Sequence, residues 1–181
     1  MVKVFPLLFI LLWSSAFITT KPIIDNSDPF AALAFRFLLV AVGFFLFSIY
    51  SKHQVIIQKK NLIESFFSGV LFHGFYLGGV FFSISKGMPT GIAALIVTLQ
   101  PILTNALSGP ILNEKVTIKQ WIGVLLGFTG AAIVLGFDIG SDIPMIGLIA
   151  TIISLIAITT STIWQKKLSN NLPLSVSNMY Q

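Results

Sequence analysis

The sequence predicts an all-α polytopic membrane helix bundle with about six transmembrane helices. Three observations predict it. Of 181 residues, 55% are hydrophobic and only 9% are charged, against about 25% charged in soluble domains. The apolar residues fall into continuous runs near the roughly 20 residues that a helix needs to cross a bilayer. The charges collect in short separators between those runs. Eleven basic and six acidic side chains are too few to keep a soluble fold of this size dispersed. A soluble enzyme and a disordered chain are thereby excluded. So is a nucleic-acid partner, because the net charge is only +5 and the lysines are scattered in ones and twos. Cysteine is absent, so no thiolate metal site or disulfide can form. No metal site and no cofactor is implied.

In chain order the runs are Val4–Thr20, Phe30–Tyr50, Leu62–Ile84, Gly91–Leu112, Ile118–Phe137 and Ile143–Trp164. Their separators hold the turn formers and the charges. Glycine and proline inside the runs are compatible with membrane helices. Strands of a membrane barrel would alternate apolar and polar over about ten residues, and these runs do not. Lys3, the first run and Ser14-Ser15-Ala16 also fit a signal peptide. Five further runs keep the protein in the membrane either way.

Orientation follows from the lysines, which favour cytoplasmic loops. Lys3, Lys52, Lys59, Lys60, Lys115, Lys119, Lys166 and Lys167 fall on one side, and Lys21 and Lys86 on the other. The expectation is a multi-pass protein of the cytoplasmic (inner) membrane with its N-terminus in the cytoplasm. Shifting the chain by 144 residues aligns Leu11 with Leu155, Asn26 with Asn170 and Pro29 with Pro173. That shift spans five runs, an odd number, so such a repeat is inverted in the membrane. After Pro173 the chain enters what reads as the start of another helix, Leu174–Gln181.

The motifs, in order, are Trp13-Ser14-Ser15-Ala16-Phe17 and Pro29 followed by Arg36 in the second run. Then come Lys86-Gly87-Met88-Pro89-Thr90-Gly91, Ala93-Ala94 and Pro101. Last is Asn113-Glu114-Lys115 with Gln120, Gly123, Gly127 and Gly130. Their order and spacing resemble the EamA domain of the drug/metabolite transporter (DMT) superfamily. The resemblance implies ten helices in two inverted repeats, with small metabolites, amino acids or drugs as substrates. On that plan residues 1–137 are a first five-helix repeat, and residues 138–181 are the truncated start of a second. Two expectations about partners stay open: a homodimer, or a missing second half.

Several residues stand out within the runs. Arg36 lies seven residues into the second run; such a residue is an anion anchor or a tether between helices. His73 and Tyr76 are three residues apart and share a helical face. The histidine is either a proton-coupling group or a satisfied hydrogen-bond partner. No acid lies mid-membrane, and Glu64 stands at the start of its run. Ala94, Thr98, Pro101 and Asn105 share one face of the fourth run, with Gln100 and Thr104 beside it. Beside a proline kink they read as a substrate path, or as interhelical hydrogen bonding. Gly74 with Gly78, and Gly123 with Gly127 and Ala131, read as close-packing faces. Glu114 reads as a loop-fixing residue. Ser154, Ala157, Ser161 and Trp164 form a further small and polar face.

The expected function is a secondary transporter working by alternating access, with Trp13, Arg36, His73, Tyr76, Thr98, Gln100 and Asn105 around a midplane cavity. In this expectation Arg36 holds a carboxylate, and Trp13 and Tyr76 touch apolar substrate parts. The alternative is a truncated, non-transporting membrane remnant or scaffold that needs a partner half. A membrane enzyme is not expected, because His53 and His73 have no partnering carboxylate cluster.

Overall fold

The structure is a computed structural model describing residues 4–112, 117–135, 143–168 and 172–181. Every element among them is helical. Four helical stretches are long and apolar enough to cross a membrane: Pro29–Tyr50, Lys59–Ser85, Thr90–Ile111 and Met145–Lys166. A helix of 22 residues is about 33 Å long, matching the hydrocarbon core.

Helix α1 (Val4–Asn26) outruns the first apolar stretch and carries Pro22 inside it. Its last turn is tied by Asn26 Nδ2 donating to Pro22 O at 2.8 Å. A two-residue turn leads to α2 (Pro29–Tyr50). Here Asp28 is the N-cap, its Oδ1 accepting from Phe30 N at 3.0 Å and Ala31 N at 2.9 Å. Pro29 at the first helical position lacks only an N–H that would have been unpaired.

Helix α3 (Lys59–Ser85) begins three residues before the predicted run and is not α-helical throughout. Val70–Gly78 is a π-helix, a form that widens the turn and is frequent at functional sites. The turn after α3 explains one sequence motif. Gly87 has φ +91°, a region glycine enters without strain. The turn puts Met88 inside, 2% exposed, its amide donating to Ser83 O at 3.1 Å.

The fourth predicted span is two helices, α4 (Thr90–Val97) and α5 (Gln100–Leu112). Pro101 has no N–H to give to Val97 O, and it restricts the residue before it. The break therefore falls at Thr98-Leu99. Helix α6 (Ile118–Leu135) packs on α4 and α5. Helix α7 (Met145–Leu168) runs along α3 and also meets α4 and α5. The short α8 (Leu174–Tyr180) lies against α2 and α3. Glu114 lies outside the described residues.

The core sits between α3, α4 and α7. Tyr76, Val80, Ile84, Met88, Ala93, Val97, Ala157 and Ile158 form it. The α3–α7 seam is polar. Ser83 Oγ donates to Gly147 O at 2.8 Å and lies 2.7 Å from Thr151 Oγ1. Ser154 Oγ reaches Phe75 O at 3.3 Å. Ser161 Oγ reaches both Ser68 O and Ser68 Oγ at 3.2 Å. Along α7 the seam residues Gly147, Thr151, Ser154, Ile158 and Ser161 alternate by four and three, the spacing of closely packed bundle helices.

Among the described residues the expected glycines make no close approach. A methyl group at Gly74, Gly123 or Gly127 would meet nothing within 4 Å among the described residues, and at Gly78 only ordinary contacts. The side chain of Ala131 lies outside the description. The tight positions are Gly69 against Gln181, Gly79 against Ser154, and Gly147, where a methyl would lie 3.1 Å from Met88 Cβ. Small residues in series permit close approach, but only the partner's position decides which series is used.

Candidate functional site

A cavity of about 90 Å³ opens between α1, α2 and α3. Helix α1 contributes Trp13, Ala16 and Thr20, spaced three and four residues apart on one face. Helix α2 contributes Arg36. Helix α3 contributes Phe72, Tyr76, Leu77, Val80 and Phe81. The π segment is what lets α3 offer both Phe72 and Leu77: with i→i+5 bonding, residues five apart come nearly into register along the axis.

The walls are mostly hydrocarbon and aromatic. Tyr76 is 3% exposed, and its ring meets Phe72 edge-on at 5.3 Å. Thr20 Oγ1 is engaged with its own helix, donating to Ala16 O at 2.7 Å. Among the described residues that line the cavity, Arg36 is the only charged one. Among the described residues nothing forms a hydrogen bond or ion pair with its guanidinium. An arginine at membrane depth costs about 2.5–3.5 kcal/mol on insertion scales unless its surroundings compensate. Its planar fork suits a carboxylate, taken through two parallel hydrogen bonds.

Three of the expected residues, Trp13, Arg36 and Tyr76, thus come together. His73 does not join them. It lies in a neighbouring apolar recess with Phe30, Leu33, Ala34, Phe37 and Gly74. Its ring packs on Phe37 at 4.5 Å and Phe72 at 5.1 Å. Nδ1 is buried with no hydrogen-bond partner among the described residues. The expectation that His73 and Tyr76 share a face assumed α-helical spacing, and the π segment rotates them apart.

The polar stripe of the fourth span does not line this cavity either. Thr98 Oγ1 donates back to Leu95 O at 2.6 Å. Gln100 Nε2 donates to Thr104 Oγ1 at 3.0 Å and Thr162 Oγ1 at 3.2 Å, tying α5 to α7. Pro101 is exposed at the start of α5. Asn105 O accepts from Ser108 Oγ at 3.0 Å. Ser154 and Ser161 belong to the α3–α7 seam rather than to a cavity, and Trp164 packs edge-on to Phe67 at 5.4 Å. Sequence reasoning missed Thr20, Phe72, Leu77, Val80 and Phe81. The three-and-four spacing of Trp13, Ala16 and Thr20 was a usable signal for α1. Nothing in the sequence marked the π segment.

Apolar helices of spanning length define a multi-pass α-helical membrane protein. Residues 3–136 match the family described as the EamA-like transporter family, and the chain belongs to it. It is 26% identical over 168 residues to a protein of Salmonella typhimurium named "Probable amino-acid metabolite efflux pump", covering 92% of this chain and 54% of that protein. The Escherichia coli protein of the same name is 25% identical, with 93% and 54% covered. "Uncharacterized transporter YvbV" of Bacillus subtilis is 23% identical, with 87% and 51% covered. The chain spans about half the length of these relatives. No solved structure gives a significant match.

Proposed function

We propose that this chain belongs to a secondary transporter that moves small metabolites, amino acids among them, across the cytoplasmic membrane by alternating access. The cavity between α1, α2 and α3 is its substrate site. Residues 1–137 are the first repeat, and residues 138–181 open a second, inverted one. Helices α1 and α6 cross the membrane like the four more apolar stretches, with the N-terminus in the cytoplasm, as the lysine distribution favours. The observation that carries the reading is Arg36, a charge without a described partner set among Trp13, Tyr76 and Phe72 in an apolar bundle. The names of the relatives support the substrate class. Their length supports a full site completed by further helices, whether from a second repeat or a second copy.

Alternating access needs a site whose two sides open in turn. Helix α3 touches the cavity on one side and the α3–α7 seam on the other, so it is placed to couple the site to the second repeat. The test is uptake and efflux by proteoliposomes holding the full-length protein, screened with amino acids first. Arg36→Gln at normal expression is expected to lower flux of the best substrate at least about tenfold, the loss of one charged hydrogen-bond pair. Unchanged flux in that variant overturns the assignment of the cavity.

A further inference from the structure

The recess between α2 and α3 that holds His73 lies open beside the cavity. Resting on the reading that residues 138–181 open a second repeat, we infer that this recess is the seat of the transmembrane helix that α8 begins in the full-length protein. The first argument is continuity with an interface already formed. Helix α8 packs on α2 and α3, with Ser175, Val176 and Ser177 buried. Ser175 Oγ lies 3.0 Å from His53 Nδ1, and Tyr180 Oη donates to Val55 O at 3.0 Å. Ser175 is thus level with the loop before α3. Gln181, the C-cap of α8, lies against Gly69, the last residue of the Lys59–Gly69 segment of α3. Helix α8 therefore runs in the same direction as α3, and its end enters the recess, where Gln181 is one of the lining residues. Continued along its own axis, it passes over Phe37 and His73, whose rings meet between α2 and α3 at 4.5 Å.

The second argument is fit. Ala34, Gly69 and Gly74 line the recess, and a methyl at Gly74 would meet nothing within 4 Å among the described residues. Phe30 bounds the far end, 3.7 Å from a methyl built on Gly78. Small residues let a helix backbone come close, and close fit is what helix association in lipid rests on. The third argument is His73. Its Nδ1 is buried without a hydrogen-bond partner among the described residues, within a stretch of spanning length. A polar atom left unpaired at membrane depth is costly. Acyl chains have no hydrogen-bonding group to offer it, whereas a helix can bring a Ser, Thr, Asn or Gln side chain. The seat thus takes a helix with such a residue about one turn beyond Gln181, level with His73. Seated there, that helix ties the second repeat to α2 and α3, the helices that carry Arg36 and Tyr76 into the cavity.

The test places a photo-crosslinking residue in the full-length protein in native membranes. Phe37→p-benzoylphenylalanine keeps an aromatic ring in place, and mass spectrometry after illumination identifies what it touched. The cross-link is expected within about two turns after Gln181. Phe30→p-benzoylphenylalanine, about two turns away along α2, should move it about seven residues further along the same segment. Gly74→Leu fills the groove and should cut the yield from position 37 at least about fivefold, because overpacking displaces the seated helix. A cross-link to a second copy, to lipid alone or to another helix overturns the seat. So does a cross-link that fails to shift, or a yield indifferent to Gly74→Leu. A cysteine placed just past the segment judges the repeat reading by itself, because seven crossings bring it to the membrane side opposite the N-terminus. Labelling from that side with no cross-link overturns the seat alone. Labelling from the N-terminal side overturns the repeat and the seat together.

Discussion

The α3–α7 seam makes a prediction that can be worked through from distances. At Gly79 an added methyl overlaps Ser154 Oγ and lies 3.3 Å from Ala150 O and 3.6 Å from Ser154 Cβ. Ser154 Oγ cannot move aside freely, because it donates to Ala150 O at 2.8 Å and reaches Phe75 O at 3.3 Å. Overpacking of this kind costs about 1–3 kcal/mol. Alanine's better helix propensity offsets about 1 kcal/mol at most. Gly79→Ala is therefore expected to destabilise by about 0.5–2 kcal/mol. Ser154→Ala alone removes an interhelical hydrogen bond, about 0.6 kcal/mol in membrane proteins. With Oγ gone, the overlap is removed, and the new methyl keeps a tight contact of 3.3 Å with Ala150 O and an ordinary one of 3.6 Å with Cβ. The double variant should then cost less than the sum of the two single variants, by at least about 0.5 kcal/mol. Gly123→Ala, whose methyl meets nothing within 4 Å among the described residues, is the neutral control. The assay is reversible unfolding in mixed micelles with added SDS, followed by circular dichroism. Two results would refute the reasoning: additive costs in the double variant, or a Gly123→Ala cost equal to that of Gly79→Ala.

Three other perturbations test local features. Gly87→Ala forces a side chain to φ +91° and should cost about 1–2 kcal/mol, read as a lower unfolding midpoint; an unchanged midpoint contradicts the turn. Pro101→Ala restores an N–H that can bond Val97 O. The amide of residue 101 should then show slowed hydrogen exchange, the new bond being worth about 0.5–1.5 kcal/mol; free exchange there would mean that the break has another cause. Asp28→Ala removes the acceptor shared by Phe30 N and Ala31 N and should cost about 0.5–2 kcal/mol. Asp28→Ser should recover most of that loss, and no recovery would point away from capping.

Some of the site was legible beforehand. Trp13, Arg36 and Tyr76 stand out because each is a large or charged group inside an apolar run, and a bilayer leaves few reasons for such groups. His73 and the stripe from Thr98 to Asn105 stood out for the same reason, and the structure uses them elsewhere. A polar side chain in a membrane helix must find a partner, but its type does not say whether that partner is a solute or another helix. Gln100 finds Thr162, and Ser161 finds Ser68.

By itself the sequence determined that the chain forms apolar helices and approximately where they begin and end. Transfer of a segment into a bilayer depends on its own length and composition, which are properties of consecutive residues. Proline and capping effects are equally local, and so the Asp28 cap and the break before Pro101 follow from the residues beside them. Only the tertiary structure decided which faces meet. Lipid is as apolar as leucine, so association rests on close fit and hydrogen bonds between helices rather than on burial. Fit depends on two surfaces at once. The sequence shows Gly123-x-x-x-Gly127 more plainly than Gly79, yet Gly79 lies against Ser154, and the π segment turns Tyr76 into the cavity and His73 away from it.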